Sequence, residues 1–203
     1  MVNFAKQGDE ETLIELMTLH IKNMVCDRCI MAVRQQLENQ NFSVVEIALG
    51  TVNITPEPGE TELQNIASSL KLLGFELIDT AKDKLIERIK TVVIELVHYS
   101  DLSALNVSLM RIIADKLNKD YAYLSRLFSE CEDITIEKYI IQQKVERVKE
   151  LLRYGELNIN EIADKMGYSS SAHLSSQFKS VTGLTPTKFK TDDSVGRNAL
   201  DKV

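Results

Sequence analysis

The hydrophobic pattern of the first eighty residues changes between strand and helix periods. Apolar and polar residues partly alternate over Leu16–Ile21, which predicts a strand. Ile30, Val33 and Leu37 then recur at helical spacing, which predicts a helix from Ile30 to Glu38. The elements predicted after it are two strands separated by Gly50, a helix that stops at Gly74, and a last strand: Ser43–Leu49, Thr51–Thr55, Thr61–Leu73 and Phe75–Ile78. This βαββαβ order predicts a ferredoxin-like α+β domain over residues 16–80.

The remaining pattern is helical and contains an internal repeat. Three short blocks occur twice in the same order, with offsets of 49 and then 50 residues: Ile113–Leu117 with Ile162–Met166, Leu124–Phe128 with Leu174–Phe178, and Ile134–Tyr139 with Leu184–Phe189. A period near fifty residues indicates two copies of one supersecondary unit. The sequence therefore predicts an all-α domain after residue 80.

Each copy has the pattern of a helix, a tight turn and a second helix. Asn118 and Gly167 occupy the turns, and Asp120 and Ser170 are the expected caps of the helices that follow. Asn160 is the expected cap of the first helix of the second copy. The side chains expected to face inward are Leu124 and Phe128 in the first copy, and Leu174, Phe178 and Val181 in the second. One long helix, Ile136–Tyr154, joins the two copies and ends at Gly155.

Charge is divided unequally between these two parts. The 203 residues carry a net charge of −6, but residues 1–81 contain five basic and twelve acidic side chains, whereas residues 82–203 contain nineteen and eighteen. The total is therefore an average of −7 and +1, and it does not exclude nucleic-acid binding by the second part. We expect an N-terminal tail over 1–15, domains over 16–80 and 81–192, and a C-terminal tail over 193–203.

The number of cysteines and the hydropathy of the chain bear on its compartment and on membrane association. Three cysteines are too few for a disulfide scaffold and suit a reducing compartment, so we expect a cytoplasmic protein. The longest apolar runs, such as Val92–Ile94, fall far short of the roughly 20 residues that a membrane span needs. No membrane association is therefore expected.

The segment Asn23–Cys29 contains a Cys-x-x-Cys motif where the first strand gives way to the first helix. On this motif, residues 17–78 resemble the heavy-metal-associated domain of copper chaperones and metal-transport ATPases. Met24, Cys26 and Cys29 fit the family's Gly-Met-Thr/His-Cys pattern, while Asn23 and Val25 depart from it. Two soft thiolates at a helix start suit Cu(I) or another soft metal ion. An inert scaffold that only mediates interaction or dimerisation, and a redox-active dithiol, are the alternatives.

A second resemblance covers residues 83–190, which are similar to the DNA-binding domain of AraC-family transcriptional regulators. It rests most specifically on the stretch from Ile162 to Phe189, which includes Gly167-Tyr168, Gly183 and Thr185-Pro186. The resemblance implies two helix-turn-helix units that enter successive major grooves of operator DNA. RNA polymerase and a second copy of the chain, held through the N-terminal domain, are further expected partners.

The side chains expected to contact DNA lie opposite the apolar stripe of the second helix in each unit. They are Tyr121, Ala122, Ser125, Arg126 and Ser129 in the first unit, and Ser171, Ala172, Ser175, Ser176 and Lys179 in the second. Arg126 is the strongest candidate, because a guanidinium group can bind guanine O6 and N7 with two hydrogen bonds. Its alternative role is an ion pair with Glu130.

The leading hypothesis is a transcriptional regulator whose first domain responds to a metal, a thiol signal or a partner. A metal chaperone-like module tethered to DNA is the main alternative. A DNA-repair methyl acceptor fits less well, because the related repair proteins carry a four-cysteine zinc site in their first domain and only Cys26 and Cys29 are present here. No catalytic triad, paired carboxylates or phosphate-binding loop stands out, so no enzyme activity is expected.

Overall fold

A computed structural model describes residues 16–105, 107–191 and 196–203. The predicted N-terminal tail, 1–15, lies outside the described residues. The first part of the chain alternates strands and helices in the order βαββαβ. These elements are β1 (Met17–Lys22), α1 (Asp27–Glu38), β2 (Ser43–Ala48), β3 (Thr51–Thr55), α2 (Glu60–Leu72) and β4 (Glu76–Ile78).

The four strands form one antiparallel sheet in the order β2-β3-β1-β4. β1 lies inside the sheet, where Met17 is opposite Ile54 of β3 and His20 is opposite Ile78 of β4. Alternate residues of β1 and β3 are buried, as a sheet covered on one face requires. The core of this N-terminal unit joins them to α1 and α2 through Leu19, Ile21, Val33, Leu37, Val52, Ile54, Ile66 and Leu70.

The second part of the chain is helical. Its elements are α3 (Ala81–Tyr99), α4 (Leu109–Leu117), α5 (Tyr121–Glu132), α6 (Ile136–Tyr154), α7 (Ile159–Lys165), α8 (Ser171–Thr182) and α9 (Pro186–Thr191), followed by a short 3-10 turn (Leu200–Lys202). One continuous hydrophobic core includes residues from all seven helices. The two helical units therefore fold as one body.

α6 is the central element of this helical body. The Thr135 side chain accepts a hydrogen bond from the Lys138 backbone N–H, and Gly155 ends the helix with φ +73°. Both ends agree with the predicted Ile136–Tyr154 helix, which is confirmed. Because neighbouring helices cover it on several sides, even polar residues such as Gln143 and Glu146 are buried.

Two sequence-based expectations in the second unit are wrong. The cap of α7 is Asn158, whose side chain accepts from the backbone N–H groups of Asn160 and Glu161, so Asn160 lies inside the helix. Val181 is 42% exposed and does not extend the inward stripe of Leu174 and Phe178. Phe189 of α9 instead packs beside Phe178, with ring centroids 5.5 Å apart.

The N-terminal unit passes into the helical body through Asp79 and Thr80 alone. Thr80 caps α3 by accepting a hydrogen bond from the Asp83 backbone N–H. Residues 196–203, part of the predicted C-terminal tail, return to α6, where Gln143 Nε2 donates to the Leu200 carbonyl. Among the residues described, no helix combines the length and hydropathy required to cross a bilayer.

Candidate functional site

Helix α5, the second helix of the first helix-turn-helix unit, is held in place by its N-terminal cap and by its buried face. Asn118 adopts a left-handed conformation in the turn, and the Asp120 side chain then accepts from the Tyr123 backbone N–H. Leu124 and Phe128 are fully buried. The opposite face of α5 is thereby directed away from the core, and Ala122 and Arg126 are exposed on it.

Arg126 is not held by a neighbouring acid. Within the described parts of the chain, no carboxylate oxygen lies within 4.0 Å of its guanidinium group, so the alternative ion pair with Glu130 is not formed. Its donors are therefore available for a ligand such as a guanine edge. Ser125 and Ser129 flank it and are half-buried.

Tyr121 differs from its predicted outward orientation. The side chain is half-buried and packs against the helical core, and its hydroxyl donates a hydrogen bond to Glu137 of α6. Burial and this bond raise the pKa of Tyr121, while the bond lowers the pKa of Glu137. The hydroxyl group of Tyr121 thus ties the start of α5 to α6. Contact of Tyr121 with DNA stays a prediction.

The second helix of the second unit, α8, is built in a similar way. Gly167 turns the chain with φ +63°, and a Cβ there would approach the Leu102 carbonyl oxygen to 3.2 Å. The Ser170 hydroxyl then accepts from the His173 backbone N–H. Leu174 and Phe178 are buried. Of the predicted contact residues, Ala172, Ser176 and Lys179 are exposed, and Ser171 and Ser175 are half-buried.

Lys144 and Gln177, which the sequence pattern did not identify, contact Tyr168 in the turn of the second helix-turn-helix unit. Lys144 of α6 places its Nζ 4.0 Å from the centroid of the Tyr168 ring, and burial lowers the pKa of Lys144 to about 8. The Tyr168 hydroxyl donates to Gln177 of α8 at 2.8 Å. These contacts connect the turn of the second unit to α6 and α8.

The Cys-x-x-Cys motif lies at the start of α1. The Cys26 and Cys29 sulfur atoms are 3.3 Å apart, both thiols are half-buried, and neither forms a disulfide. Cys26 is the residue that precedes the helix, and its carbonyl accepts from the Cys29 backbone N–H. Burial raises the pKa of the Cys29 thiol.

Helix α3 forms a hydrogen bond with each end of the Asn23–Val25 loop, which precedes the two cysteines. The Asn23 backbone N–H donates to Glu87 Oε1 at 3.1 Å, and the Tyr99 hydroxyl donates to the Val25 carbonyl at 3.4 Å. Glu87 is buried, and burial raises its pKa. The loop that leads into the motif is therefore in direct contact with the first helix of the helical body.

A cavity of about 600 Å³ opens where the N-terminal unit, α3, α6 and the C-terminal segment meet. Both cysteines line it, together with Arg28, Arg147 and Arg197. Arg147 and Arg197 both pair with Glu150. We call this space the junction cavity.

The chemistry of the cysteine pair limits which metal it fits. Two thiols suit a soft ion of low coordination number, whereas a structural zinc site takes four ligands. Among the residues described, no group of three or more histidine, cysteine or acidic side chains is arranged to hold a metal ion. The pair thus fits the predicted Cu(I)-type ion by donor chemistry and does not offer a tetrahedral site.

His98, which also lines the junction cavity, gives the fold a dependence on pH. Burial lowers the pKa of His98 to about 4, and its Nε2 lies 3.0 Å from Gln143 Oε1. Because the unfolded chain binds the proton near pH 6.5, stability from this site is complete above that pH and is lost as the pH falls toward 4. We expect His98→Gln to flatten the low-pH decline in unfolding free energy, which has a limit of about 1.4 kcal/mol per pH unit for one proton.

This prediction is measured by urea unfolding at several pH values between 4 and 7. A His98→Gln variant whose stability declines as steeply as that of the wild type would assign the pH dependence to other groups.

The paired turns, buried inner faces and exposed outer faces define a double helix-turn-helix protein. Residues 113–192 match the protein family described as "Helix-turn-helix domain". This match agrees with the two helix-turn-helix units predicted from the internal repeat.

Named relatives are similar over the same kind of region. The Msm operon regulatory protein of Streptococcus mutans is 36% identical over 80 residues, which are 39% of this chain and 29% of that protein. The xylose operon regulatory protein of Haemophilus influenzae is 30% identical over 98 residues, 48% of this chain and 25% of that protein. The chain thus spans less than a third of the length of either relative.

Among solved structures, the chain is similar to the C-terminal domain of AraT, a response regulator from Geobacillus stearothermophilus. The match covers 59% of this chain and 97% of that one, with 23% identity and a TM-score of 0.47.

Proposed function

We propose that this protein is a sequence-specific DNA-binding transcriptional regulator that reads two successive major grooves with α5 and α8. The observation that carries the proposal is the helix-turn-helix domain over residues 113–192, whose two outer helix faces are exposed and belong to one rigid core. The operon regulators that are similar to this chain support the same assignment.

The length of α6 is compatible with this mode of binding. Its 19 residues extend about 28 Å at 1.5 Å per residue. Successive major grooves on one face of DNA are about 34 Å apart. Because α5 and α8 both pack against α6, this helix fixes the position of one unit relative to the other.

The roles of the outer residues follow from their chemistry. In the first unit Arg126 reads a guanine, Ala122 meets a base edge, and Ser125 and Ser129 bind bases or phosphate. In the second unit Ala172 contacts a thymine methyl group, and Lys179 binds phosphate. The hydroxyl groups of Ser171, Ser175 and Ser176 add positioning contacts that discriminate weakly. Tyr121 acts through its bond to Glu137 and orients α5.

For the N-terminal unit we propose a ferredoxin-like, heavy-metal-associated-like domain that controls operator binding. Its strand order and βαββαβ element order support this fold. The control site is the Cys26 and Cys29 pair, which takes a soft metal ion such as Cu(I) or changes its thiol state. The docking of the Asn23–Val25 loop on α3 supplies the contact through which such a change reaches the helical body.

The regulator acts in the cytoplasm under this proposal, with RNA polymerase and a second copy of the chain as further partners. A metal chaperone-like module tethered to DNA is the second candidate, favoured by the position of the cysteine pair beside a cavity. Footprinting on genomic DNA tests the two. Discrete protected sites near promoters support the regulator, whereas uniform binding combined with metal transfer to an acceptor protein supports the chaperone.

The double variant Cys26→Ser/Cys29→Ser is expected to lose metal uptake in reduced protein and to bind operator DNA equally well with and without copper. Serine oxygen is a harder ligand than thiolate sulfur and does not retain a soft ion. Mass spectrometry of the loaded protein and operator titrations with and without Cu(I) measure the two effects.

Cys131→Ser is the matched control, because Cys131 is an exposed thiol at the end of α5, outside the junction cavity. Equal metal content in the double variant and the wild type would refute control through the Cys26 and Cys29 pair.

A further inference from the structure

A basic groove runs along one side of α5, between α3 and the edge of the N-terminal unit. It has a volume of about 700 Å³, and the Tyr123 and Leu127 side chains of α5 form one wall. The other side is lined by cationic or titratable side chains from three separate segments: His20 of β1, Lys82, Lys84 and Arg88 of α3, and Lys119 of the turn before α5.

The positive charge in the basic groove is largely uncompensated. None of the described residues that line it is acidic. Lys84 lies 3.5 Å from an Asp79 carboxylate that is fully exposed to solvent. Lys82, Arg88 and Lys119 are exposed, and in the described ranges no carboxylate lies within 4.0 Å of them.

Two of these cations, Lys84 and Arg88, lie close enough to His20 to affect its pKa. The pKa of His20 is lowered by burial and then by the charges of Lys84 and Arg88. Since like charges disfavour one another, a cluster of this kind is costly until an anion enters it. The groove therefore favours a polyanionic ligand.

The helical geometry of α5 shows where the basic groove lies relative to the proposed reading face. Successive residues of an α-helix are about 100° apart, so Tyr123 and Leu127 lie about 100° around the helix from Ala122 and Arg126. The basic groove thus runs beside the proposed reading face. A helix inserted into a major groove is bordered on its sides by the phosphates of the two strands.

We propose that the basic groove binds the phosphate backbone of the DNA strand beside the first recognition helix. This inference rests on the proposed function, and it adds α3 and His20 of β1 to the DNA contact. A net charge of −7 over residues 1–81 would otherwise repel DNA from the N-terminal unit. The basic groove places the positive charge of α3 and Lys119 along the boundary with that unit.

The full-length double variant Lys82→Gln/Arg88→Gln tests the proposal. Each phosphate contact contributes about 0.9 to the slope of log K against log salt, so we expect the slope to become shallower by about 1.8. Affinity should fall by the same factor for the operator and for an unrelated duplex. The footprint should keep its position, because these side chains read no base.

The control is Arg34→Gln/Lys71→Gln, which removes the same charge from α1 and α2 of the N-terminal unit, away from the groove. Lys119→Gln is a second groove variant, and thermal melting of all variants checks folding. Affinity and salt slope equal to those of the control would overturn the proposal, even if inorganic phosphate binds the groove. A wild-type chain that binds no duplex at all would instead overturn the proposed function.

Discussion

The Arg126→Ala variant is expected to bind its operator more weakly by about 1–3 kcal/mol, which is roughly five- to 150-fold in Kd. Arg126 is exposed on the outer face of α5, and its guanidinium group has no carboxylate partner in the described chain. Its loss therefore removes a base contact without breaking an internal ion pair. Fluorescence titration of a labelled operator measures the change.

A modified operator separates base reading from simple charge loss. Replacing the contacted guanine by 7-deazaguanine removes the N7 acceptor, which should weaken the wild type and leave Arg126→Ala almost unaffected. Arg34→Ala, on α1 of the N-terminal unit, is the matched control and should bind as the wild type does. An Arg126→Ala variant with unchanged affinity and footprint would remove this residue from the interface.

Phe178→Ala should lower the free energy of unfolding by about 3–5 kcal/mol. The Phe178 side chain is 1% exposed and packs against the Phe189 ring, so its removal leaves a cavity between α8 and α9. We expect operator binding to weaken with it, because α8 loses its anchor to the core. Chemical denaturation followed by circular dichroism gives the stability change.

Two variants on α8 calibrate this result. Phe178→Leu keeps most of the apolar volume and should cost clearly less than Phe178→Ala. Val181→Ala truncates an exposed side chain and should change the unfolding free energy by no more than about 0.5 kcal/mol. If Phe178→Ala were as mild as Val181→Ala, the packing of α8 described above would be wrong.

Local signals predicted the elements that depend on local chemistry. The Ile136–Tyr154 helix was predictable at both ends, because Thr135 supplies a side-chain cap and Gly155 adopts a positive φ with little strain. The cap of α7 is also a local signal, although the cap expected from the sequence is Asn160 rather than Asn158. Asn158 and Glu161 form a capping box, and the nearby Asn160 offers a similar residue type two positions later.

Contacts between distant segments were not predictable in this way. Tyr121 occupies an outward position by helical periodicity, but the Glu137 carboxylate approaches it from α6. Glu87 reaches the Asn23 backbone across 64 residues of sequence. The basic groove likewise combines β1, α3 and a turn, so no single stretch of sequence displays its charge.

The exposed faces of α5 and α8 differ in composition, so the two ends of the proposed DNA-binding surface are not equivalent. α5 presents an arginine on its outer face, whereas α8 presents mainly serine, alanine and one lysine. A symmetric dimer of identical readers binds a palindrome equally well in either orientation. A single chain with two unlike readers on one rigid core would instead bind an asymmetric operator in one orientation only. The N-terminal unit would then always lie on the same side of the operator. Reversing the operator within the promoter would move that unit to the opposite side.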